Sequence, residues 1–454
     1  MVDIVTPQRS VAALHLPPVS RMPKSMIAAG FLTNRRRLTH SLRRRHGSEF
    51  VIDLPMFGRT MFVSDPALAK QLFRTSDEIV SNIDPNLGRV LGEGSIFNLE
   101  KTAHKNRRKL LAPPFHGKRM LEYEQIIEEE FRAEAVSWPE DREFPILPST
   151  MRVTLNAILR AVFGAEGEEF DGLRRVLPPF VELGSRFAVV PGLSRDLGRW
   201  SPGRRFADYR AEFDALVGSL VSKAKADPNL DERADVLSIL IRARYDDGTA
   251  MTTSDLADEL LTMLAAGHET TATTLAWLVE RLRRHPAVWD RLVAENEAGG
   301  DALRRATIYE AQRCRPVIDF AGRTVLADVL ELGPYRIPRG YKVIVGLDLI
   351  HTDDRVFPHA DRFDPDRFLG QHPDLYSWVP FGGGVRRCIG AAFADMELNV
   401  VLRTLLTDFD LVPTDARDER FHNRGVATAP RKGGLTRVRR REGSSVRRKR
   451  RCGG

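Results

Sequence analysis

The residues best suited to do chemistry lie in a glycine-rich stretch near the end of the 454-residue sequence. Residues 380–390 are PFGGGVRRCIG, and helix-forming residues follow at 391–406. A cysteine just before a helix lies at the positive end of the helix dipole, and the adjacent Arg386 and Arg387 also favour its thiolate form. Thiolates bind metals or attack electrophiles, so the pattern predicts one of these chemistries at Cys388.

Three functions and one structural role compete for this loop. A phosphate-binding loop would end in Lys followed by Ser or Thr, and this stretch does not. A nucleophilic cysteine needs a partner histidine, and none is obvious in the sequence. A thiolate can also bind haem iron, as in oxygen-activating haem enzymes. The remaining alternative is an inert, buried cysteine, and the loop alone does not decide between a ligand and an inert residue.

A long helix must lie upstream of this loop, and its centre is unusual. Residues 254–285 have acids in the first turns and repeated leucines, which predicts a helix of about 45 Å. The centre, residues 267–274, is GHETTATT and is poor in helix formers. Such a local conflict is typical of functional sites, although a solvent-exposed patch would have a similar composition.

These segments and a third one together resemble the motifs of the cytochrome P450 family. Residues 381–390 resemble its haem-binding loop, Phe-x-x-Gly-x-Arg-x-Cys-x-Gly. Residues 266–271 (AGHETT) are similar to its oxygen-binding helix motif, and residues 310–313 (EAQR) to its Glu-x-x-Arg motif. The glutamate of the helix motif and the arginine of the third motif precede the cysteine by 119 and 75 residues. The resemblance covers about residues 16–441, and its specificity comes from the three motifs together.

The resemblance implies a role for each residue of the cysteine loop. Cys388 would be the axial ligand of the iron in haem b (iron protoporphyrin IX). Phe381 would pack against the sulfur side of the haem, and Gly384 and Gly390 would shape the loop around the cofactor. Arg386 would contact a haem propionate.

The resemblance also implies roles for residues outside the loop. Glu269 and Thr270 would be the catalytic acid–alcohol pair that delivers protons to oxygen, and Gly267 would leave room for oxygen. His268 would be structural. The remaining propionate contacts would come from His104, Arg108 and Arg323, and a buried structural ion-pair cluster would contain Glu310, Arg313 and Arg367.

A member of this family would be a haem-thiolate monooxygenase that inserts one oxygen atom from O2 into a hydrophobic small molecule, such as a lipid, terpene, steroid-like compound or xenobiotic. Electrons would come from NAD(P)H through a separate ferredoxin or flavodoxin and its reductase. The alternative is a peroxide-dependent or O2-independent haem-thiolate enzyme, although such members often depart from the acid–alcohol pair that this sequence retains.

The positions of the remaining elements predict a mostly helical (α+β) fold with small antiparallel sheets. A hairpin is predicted at 48–64, short strands at 323–326, 335–337 and 342–345, and a second hairpin near 426–438. The resemblance implies the helical prism of the P450 fold. We expect one domain over residues 1–441, with a proline-rich leader, followed by a basic, disordered tail at 442–454.

Composition limits the other function classes. The net charge is +8, of which the thirteen-residue tail carries +4 and the folded part the other +4, so half of the charge excess that would suggest nucleic-acid binding lies in a short appendage. We expect no nucleic-acid partner, although the tail run at 447–451 could attract nucleic acid or anionic lipid. Three cysteines exclude a disulfide framework, and no apolar run is long enough to span a membrane. These features predict a cytoplasmic protein, and we expect it to be a monomer.

Overall fold

Helices make up most of the protein, as the sequence predicts. The computed structural model describes residues 15–55, 57–83, 87–115, 117, 119–164, 167–444 and 446. Residue 445 and residues 447–454 lie outside that set, so the predicted disorder of the tail stays untested. The helices are α1 Lys24–His46, α2 Pro66–Arg74, α3 Gly88–Leu91, α4 Lys101–Leu111, α5 Arg119–Ala135, α6 Leu147–Phe163, α7 Glu168–Val189, α8 Pro202–Ala226, α9 Val236–Arg242, α10 Thr253–Leu282, α11 Pro286–Glu297, α12 Ala302–Cys314, α13 Leu347–His351 and α14 Ala391–Asp408.

The strands are short and belong to several small sheets. Their bounds are β1 Glu49–Leu54, β2 Gly58–Val63, β3 Val80–Asn82, β4 Phe144–Pro145, β5 Phe320–Val325, β6 Val329–Leu332, β7 Tyr335–Pro338, β8 Lys342–Gly346, β9 Phe409–Leu411, β10 Phe421–Arg424, β11 Ala427–Pro430, β12 Leu435–Thr436 and β13 Val438–Arg440. The largest sheet has the order β1-β2-β8-β5-β3. It contains the predicted hairpin β1–β2, and β8 adds to it as a parallel neighbour of β2.

The second predicted hairpin is displaced along the chain. The sequence places it near 426–438, whereas β10 and β11 form it over 421–430 and turn at Gly425, which has φ +81°. The later strands β12 and β13 pair with β4 and β9 instead. The reason is a second turn at Gly433 and Gly434, both at positive φ, which ends the hairpin and directs the chain elsewhere.

Helix α10 is the long helix predicted from the leucine spacing. Its N-cap Thr252 accepts a hydrogen bond from the Asp255 backbone N–H at 3.0 Å, which satisfies one of the free donors of the first turn. The helix ends at Leu282, three residues before the predicted end. Pro286 begins α11 and disfavours helical geometry at the residue before it, where His285 has φ −129°. Helix α10 packs against α6 and α14, and its side chains are buried over most of its length.

The chain divides into two compact units. One contains residues 1–84 and 322–345, and the other contains residues 85–321 and 346–454. Of the predicted site residues, Arg323 falls in the first unit and the others in the second. Among the described residues, no helix is long and apolar enough to cross a membrane.

Candidate active site

Cys388 lies in a tight turn between a short 3-10 helix, Gly384–Arg386, and helix α14. Its backbone N–H donates to the Phe381 carbonyl at 3.0 Å, which closes the loop over the glycines. Gly382 and Gly384 have φ +65° and +68°, a left-handed conformation that side chains with a Cβ rarely adopt. The glycine-rich sequence is therefore needed for the backbone path that presents the cysteine.

Cys388 is an exposed residue, yet nearby protein atoms desolvate its thiol. Burial is the largest influence and raises the pKa of the thiol, whereas the Gly390 backbone N–H, Arg387 and Arg108 lower it. The predicted preference for thiolate is therefore opposed by desolvation in the protein alone. A metal ion bound to the sulfur would supply the missing positive charge and displace the proton.

Phe381, the aromatic residue of the loop, packs against two other side chains. The Phe381 ring lies 5.9 Å from the Trp378 ring in an edge-on arrangement, and the Arg387 guanidinium lies 5.9 Å from the Phe381 ring centroid. Gly390 immediately precedes α14, and a Cβ there would meet nothing within 4 Å. Phe381 is therefore packed by Trp378 and Arg387, while the backbone at Gly390 borders open space.

Helix α10 carries an accessible stripe in its otherwise buried centre. Ala266 is exposed, and Met263, Gly267 and Thr270 are partly exposed, at the spacing of one helical face. A Cβ on Gly267 would meet only Ile158 side-chain atoms, at 3.5 Å. The hydroxyl of Thr270 donates to the Ala266 carbonyl at 2.7 Å. This face leaves room for a ligand along the middle of the helix.

Glu269 points to a different neighbour from Thr270. It is buried, and its carboxylate lies 3.4 Å from Nε of Arg424 on β10. Burial raises the pKa of the Glu269 carboxyl, and Arg424 opposes this effect. His268 is buried, and its Nδ1 lies 2.8 Å from the Leu264 carbonyl, which agrees with a structural role.

The four residues predicted to hold propionates have different surroundings. Arg108 on α4 lies close enough to Cys388 for the two charges to interact, and burial lowers the pKa of the Arg108 guanidinium. His104 lies one turn earlier on α4 and is buried. Arg386 donates to the Ile96 and Leu99 carbonyls, at 3.1 and 2.6 Å, and to Glu100.

Arg323 belongs to the other unit. It is buried on β5, donates to the Gly322 carbonyl at 2.8 Å, and lies 5.6 Å from the ring centroid of Phe73. These contacts all lie within its own unit.

The Glu-x-x-Arg residues form a fully buried pair on α12. Glu310 and Arg313 are joined by two hydrogen bonds of 2.7 Å, and Arg367 lies 3.2 Å from the same carboxylate. Arg313 also donates to the carbonyls of His351 at 2.6 Å and Ala360 at 2.9 Å. The Arg313 guanidinium therefore binds α12 to two other chain segments, at His351 and at Ala360.

The segment leading into the cysteine loop is attached to the same cluster. Trp378 donates through Nε1 to the Tyr309 carbonyl on α12 at 3.0 Å. The Val379 backbone N–H donates to Nε2 of His351 at 3.0 Å, and the carbonyl of His351 is held by Arg313. The buried pair thus braces the start of the cysteine loop through two short hydrogen-bonded paths.

Sequence reasoning missed three polar groups near the site. Arg424 is the partner of Glu269, and no motif marks it. Arg107 on α4 bonds Glu259 at 2.8 Å and the Gly94 carbonyl at 2.6 Å, which ties α10 to the loop before α4. Glu397 is buried on α14. The signal available was weak: Glu397 is an acid among apolar residues of a helix, and Arg107 adjoins a predicted site residue.

The donor set suits haem better than a bare metal ion. Within the described ranges, no three His, Cys, Asp or Glu side chains lie together as a metal cluster. A single cysteine ligand suits an iron atom whose other ligands come from a porphyrin. The cations Arg108 and Arg387, which lie near the sulfur, could balance the anionic sulfur and carboxylates of such a group.

Comparison with known proteins supports a haem-binding role, since the matches cover nearly the whole chain. The family model for cytochrome P450 matches residues 17–437. A putative cytochrome P450 138 of Mycobacterium tuberculosis is 52% identical over 441 residues, covering 97% of this chain and 100% of the relative. A putative cytochrome P450 137 of the same species is 38% identical, covering 94% and 91%.

Solved structures give the same fold. A cyanobacterial CYP120A1 with bound retinoic acid has a TM-score of 0.82 at 20% identity and covers 94% of this chain and 100% of its own. The haem domain of cytochrome P450DA has a TM-score of 0.80 at 22% identity, covering 95% and 99%. The predicted fold class is therefore confirmed. The family-model match and the 52% identity establish that this chain belongs to the cytochrome P450 family of haem-thiolate monooxygenases.

Proposed function

We propose that this P450 inserts one oxygen atom of O2 into a hydrophobic small molecule and reduces the other oxygen atom to water. The two electrons would come from NAD(P)H through a separate ferredoxin or flavodoxin and its reductase. The observation that carries the proposal is the accessible stripe on α10, where an apolar face adjoins an acid and an alcohol. Pockets lined by apolar groups with few polar ones select hydrophobic ligands.

Haem b, held by Cys388, would supply oxygen activation and cleavage of the O–O bond. Arg108, His104, Arg386 and Arg323 are the candidates to hold its propionates. The electrostatic influence of Arg108 on Cys388 favours its part in this set. Arg386 is already bonded to the loop before α4, so its contribution would combine loop anchoring with charge.

Glu269 and Thr270 would deliver protons on the α10 side of the site. The raised pKa of Glu269 keeps its carboxyl protonated closer to neutral pH, which is what a proton donor requires. The Thr270 hydroxyl holds its own proton against the Ala266 carbonyl and must turn away from it to donate. The buried surroundings of Glu269 limit competing proton transfer from bulk water.

The electron donor would approach the outer side of the cysteine loop. Lys105 is exposed and Arg387 is partly exposed, and both would attract an acidic partner. We expect this encounter to weaken as ionic strength rises. We further propose that the enzyme works as a monomer in the cytoplasm.

A carbon-monoxide spectrum of the reduced protein tests the ligand assignment. The unaltered protein should give a thiolate-type band, and Cys388→Ala should lose it. Cys314→Ala is the control, because Cys314 is buried on α12. A thiolate-type band that persists in Cys388→Ala would contradict the assignment.

Peroxide release separates the monooxygenase from the peroxide-dependent alternative. In Thr270→Ala, O2-dependent turnover should fall and hydrogen peroxide should accumulate, because proton delivery is impaired. Thr404→Ala is a matched control, since Thr404 makes the same type of bond to the carbonyl four residues earlier, on α14. Turnover that is indifferent to Thr270→Ala would favour the alternative enzyme.

A further inference from the structure

Residues 92–99, which we call the α3–α4 loop, join the cysteine loop to helix α10, the two elements between which haem would bind. Arg386 of the cysteine loop donates to two carbonyls of the α3–α4 loop, at 3.1 and 2.6 Å. On the other side, the Ser95 hydroxyl lies 2.8 Å from the Thr262 hydroxyl of α10. The loop contains both exposed and buried residues, as expected of a wall between the site and solvent.

Two consecutive acids of α10 hold this loop at Gly94. The Gly94 backbone N–H donates to Oδ2 of Asp258 at 2.8 Å. Arg107 of α4 donates to the Gly94 carbonyl at 2.6 Å and to Oε1 of Glu259 at 2.8 Å. A Cβ on Gly94 would come within 2.4 Å of Oδ1 of Asp255, so the loop backbone lies directly against the helix. Ionic side chains therefore fix both backbone polar groups of one loop residue.

Glu259 is the member of this cluster that titrates near neutral pH. The residue is fully buried, and within the described part of the chain its Oε2 atom has no hydrogen-bond partner. Burial is the largest influence and raises the pKa of the carboxyl to about 7, while Arg107 and the Ile96 backbone lower it and Asp255 raises it. A small change of pH around neutrality therefore changes the charge that faces Arg107.

The other charged groups of the cluster hold Arg107 and Asp258 in place. Nε of Arg107 donates to the Tyr245 hydroxyl at 2.7 Å, and Asp255 lies 3.4 Å from the same guanidinium. Asp258 is paired with Arg210 of α8. Arg107 and Tyr245 also line a partly open cavity of about 270 Å3, through which water can exchange protons with the pair.

We propose that Arg107 and Glu259 form a pH-sensitive latch on the α3–α4 loop. While Glu259 is ionised, it holds the Arg107 guanidinium, which in turn holds the Gly94 carbonyl and keeps the loop against α10. When Glu259 takes up a proton, this attraction is lost, the loop opens more often, and ligands pass into and out of the haem site faster. The inference goes beyond the proposed reaction, because it requires haem to bind between the two elements and does not depend on what the enzyme oxidises.

Carbon-monoxide rebinding to the reduced, haem-loaded protein after flash photolysis tests the latch. Carbon monoxide does not titrate, so a pH dependence of its entry belongs to the protein. Exchange of a charged for a neutral hydrogen-bond partner corresponds to about a tenfold change in an opening equilibrium. The rebinding rate should therefore rise about tenfold from pH 8.5 to pH 6, with a midpoint near pH 7. The dissociation rate should rise by the same factor, because a latch changes passage in both directions and leaves the affinity of the iron unchanged.

Glu259→Gln and Arg107→Gln break the latch from its two sides, so both variants should rebind carbon monoxide quickly at every pH. Ser95→Ala removes a bond of the loop without altering a charge, so it should be faster than the unaltered protein and keep the midpoint. Glu130→Gln is the matched control, since Glu130 is a mostly buried acid paired with Arg160 at 3.0 Å on α5 and α6. It should follow the unaltered protein.

Amide hydrogen exchange gives a second readout, because the α3–α4 loop should lose protection by a similar factor once the intrinsic pH dependence of exchange is removed. A rebinding rate that is independent of pH in the unaltered protein, or that keeps its midpoint in Glu259→Gln, would overturn the latch. A change in carbon-monoxide affinity without equal changes in both rates would also overturn it. None of these measurements uses O2-dependent turnover, so failure of the latch and failure of the proposed reaction are separate observations. The carbon-monoxide spectrum shows that each variant has folded and bound haem.

Discussion

The carboxyl group of Glu397 lies inside the protein, because the residue is only 1% exposed. Among the described residues, neither of its carboxylate oxygens has a hydrogen-bond partner. Burial raises the pKa of this group to about 8, and the nearby Thr271 hydroxyl lowers it without forming a well-shaped hydrogen bond. At neutral pH the native protein therefore keeps a proton on Glu397.

The retained proton makes stability depend on pH with a defined sign. The folded pKa of about 8 is above the ordinary value of 4.5, so the unfolded chain releases its proton first. The contribution of Glu397 is fully present below about pH 4.5 and is lost as pH rises through 8. Within that window the free energy of unfolding falls by about 1.4 kcal/mol per pH unit. From pH 5 to pH 7 the loss is therefore about 3 kcal/mol.

Glu397→Gln should remove this slope, because an amide does not titrate. Unfolding entropy is roughly 2.1 cal/mol/K per residue, so a chain of 454 residues shifts its Tm by about 1 °C per kcal/mol. Between pH 5 and pH 7, the Tm of the unaltered protein should thus fall by about 3 °C relative to that of Glu397→Gln. The comparison uses the change with pH, so a constant cost of burying the amide cancels.

Thermal unfolding of the haem-loaded proteins, followed by circular dichroism at pH 5, 6 and 7, measures this difference. Glu232→Gln changes an exposed carboxylate and should follow the unaltered protein at each pH. If the Tm values of Glu397→Gln and the unaltered protein change in parallel with pH, then Glu397 is ionised in the native state and the reasoning from its burial fails.

Three further substitutions test the packing around the site. Glu310→Gln leaves buried guanidinium groups without their counter-charge, and chemical unfolding should show a loss of about 3–5 kcal/mol. Gly425→Ala should lower the Tm more than Gly340→Ala, because both sites have positive φ but only Gly425 would bring a Cβ within 2.5 Å of another backbone atom. Equal losses would exclude that close contact. Arg107→Gln removes the bond to the Gly94 carbonyl, so amide hydrogen exchange in that loop should become faster, and unchanged rates would contradict the tethering.

Periodic patterns in the sequence were enough to predict the long elements. The leucine spacing of α10 and the alternation of β1 and β2 each reflect one buried face, so local sequence carries the signal. The second hairpin was misplaced because its ends depend on which of several glycines turns the chain. The chain turns at Gly434, where a Cβ would come within 2.8 Å of the Ala276 carbonyl oxygen. This is a tertiary contact, and the local sequence does not indicate it.

The cysteine loop and its bracing pair could also be anticipated, since each depends on residues that are close in sequence. The partners of these residues could not. Arg424 lies 155 residues after Glu269, and Arg386 bonds to carbonyls about 290 residues earlier. Contacts of this kind are set by how helices and hairpins pack, and a backbone carbonyl acceptor leaves no trace in the amino-acid sequence.

The polar run at the centre of α10 is explained by helix geometry. Successive side chains differ by about 100° around the axis, so four neighbours face four directions. His268 packs inward, Glu269 faces Arg424, Thr270 lies on the accessible stripe and Thr271 approaches Glu397 on α14. Along the sequence they form one hydrophilic patch, which would suit a solvent-exposed surface. In the fold each polar group serves a separate neighbour, so a substitution at one position should alter one contact and leave the other three in place.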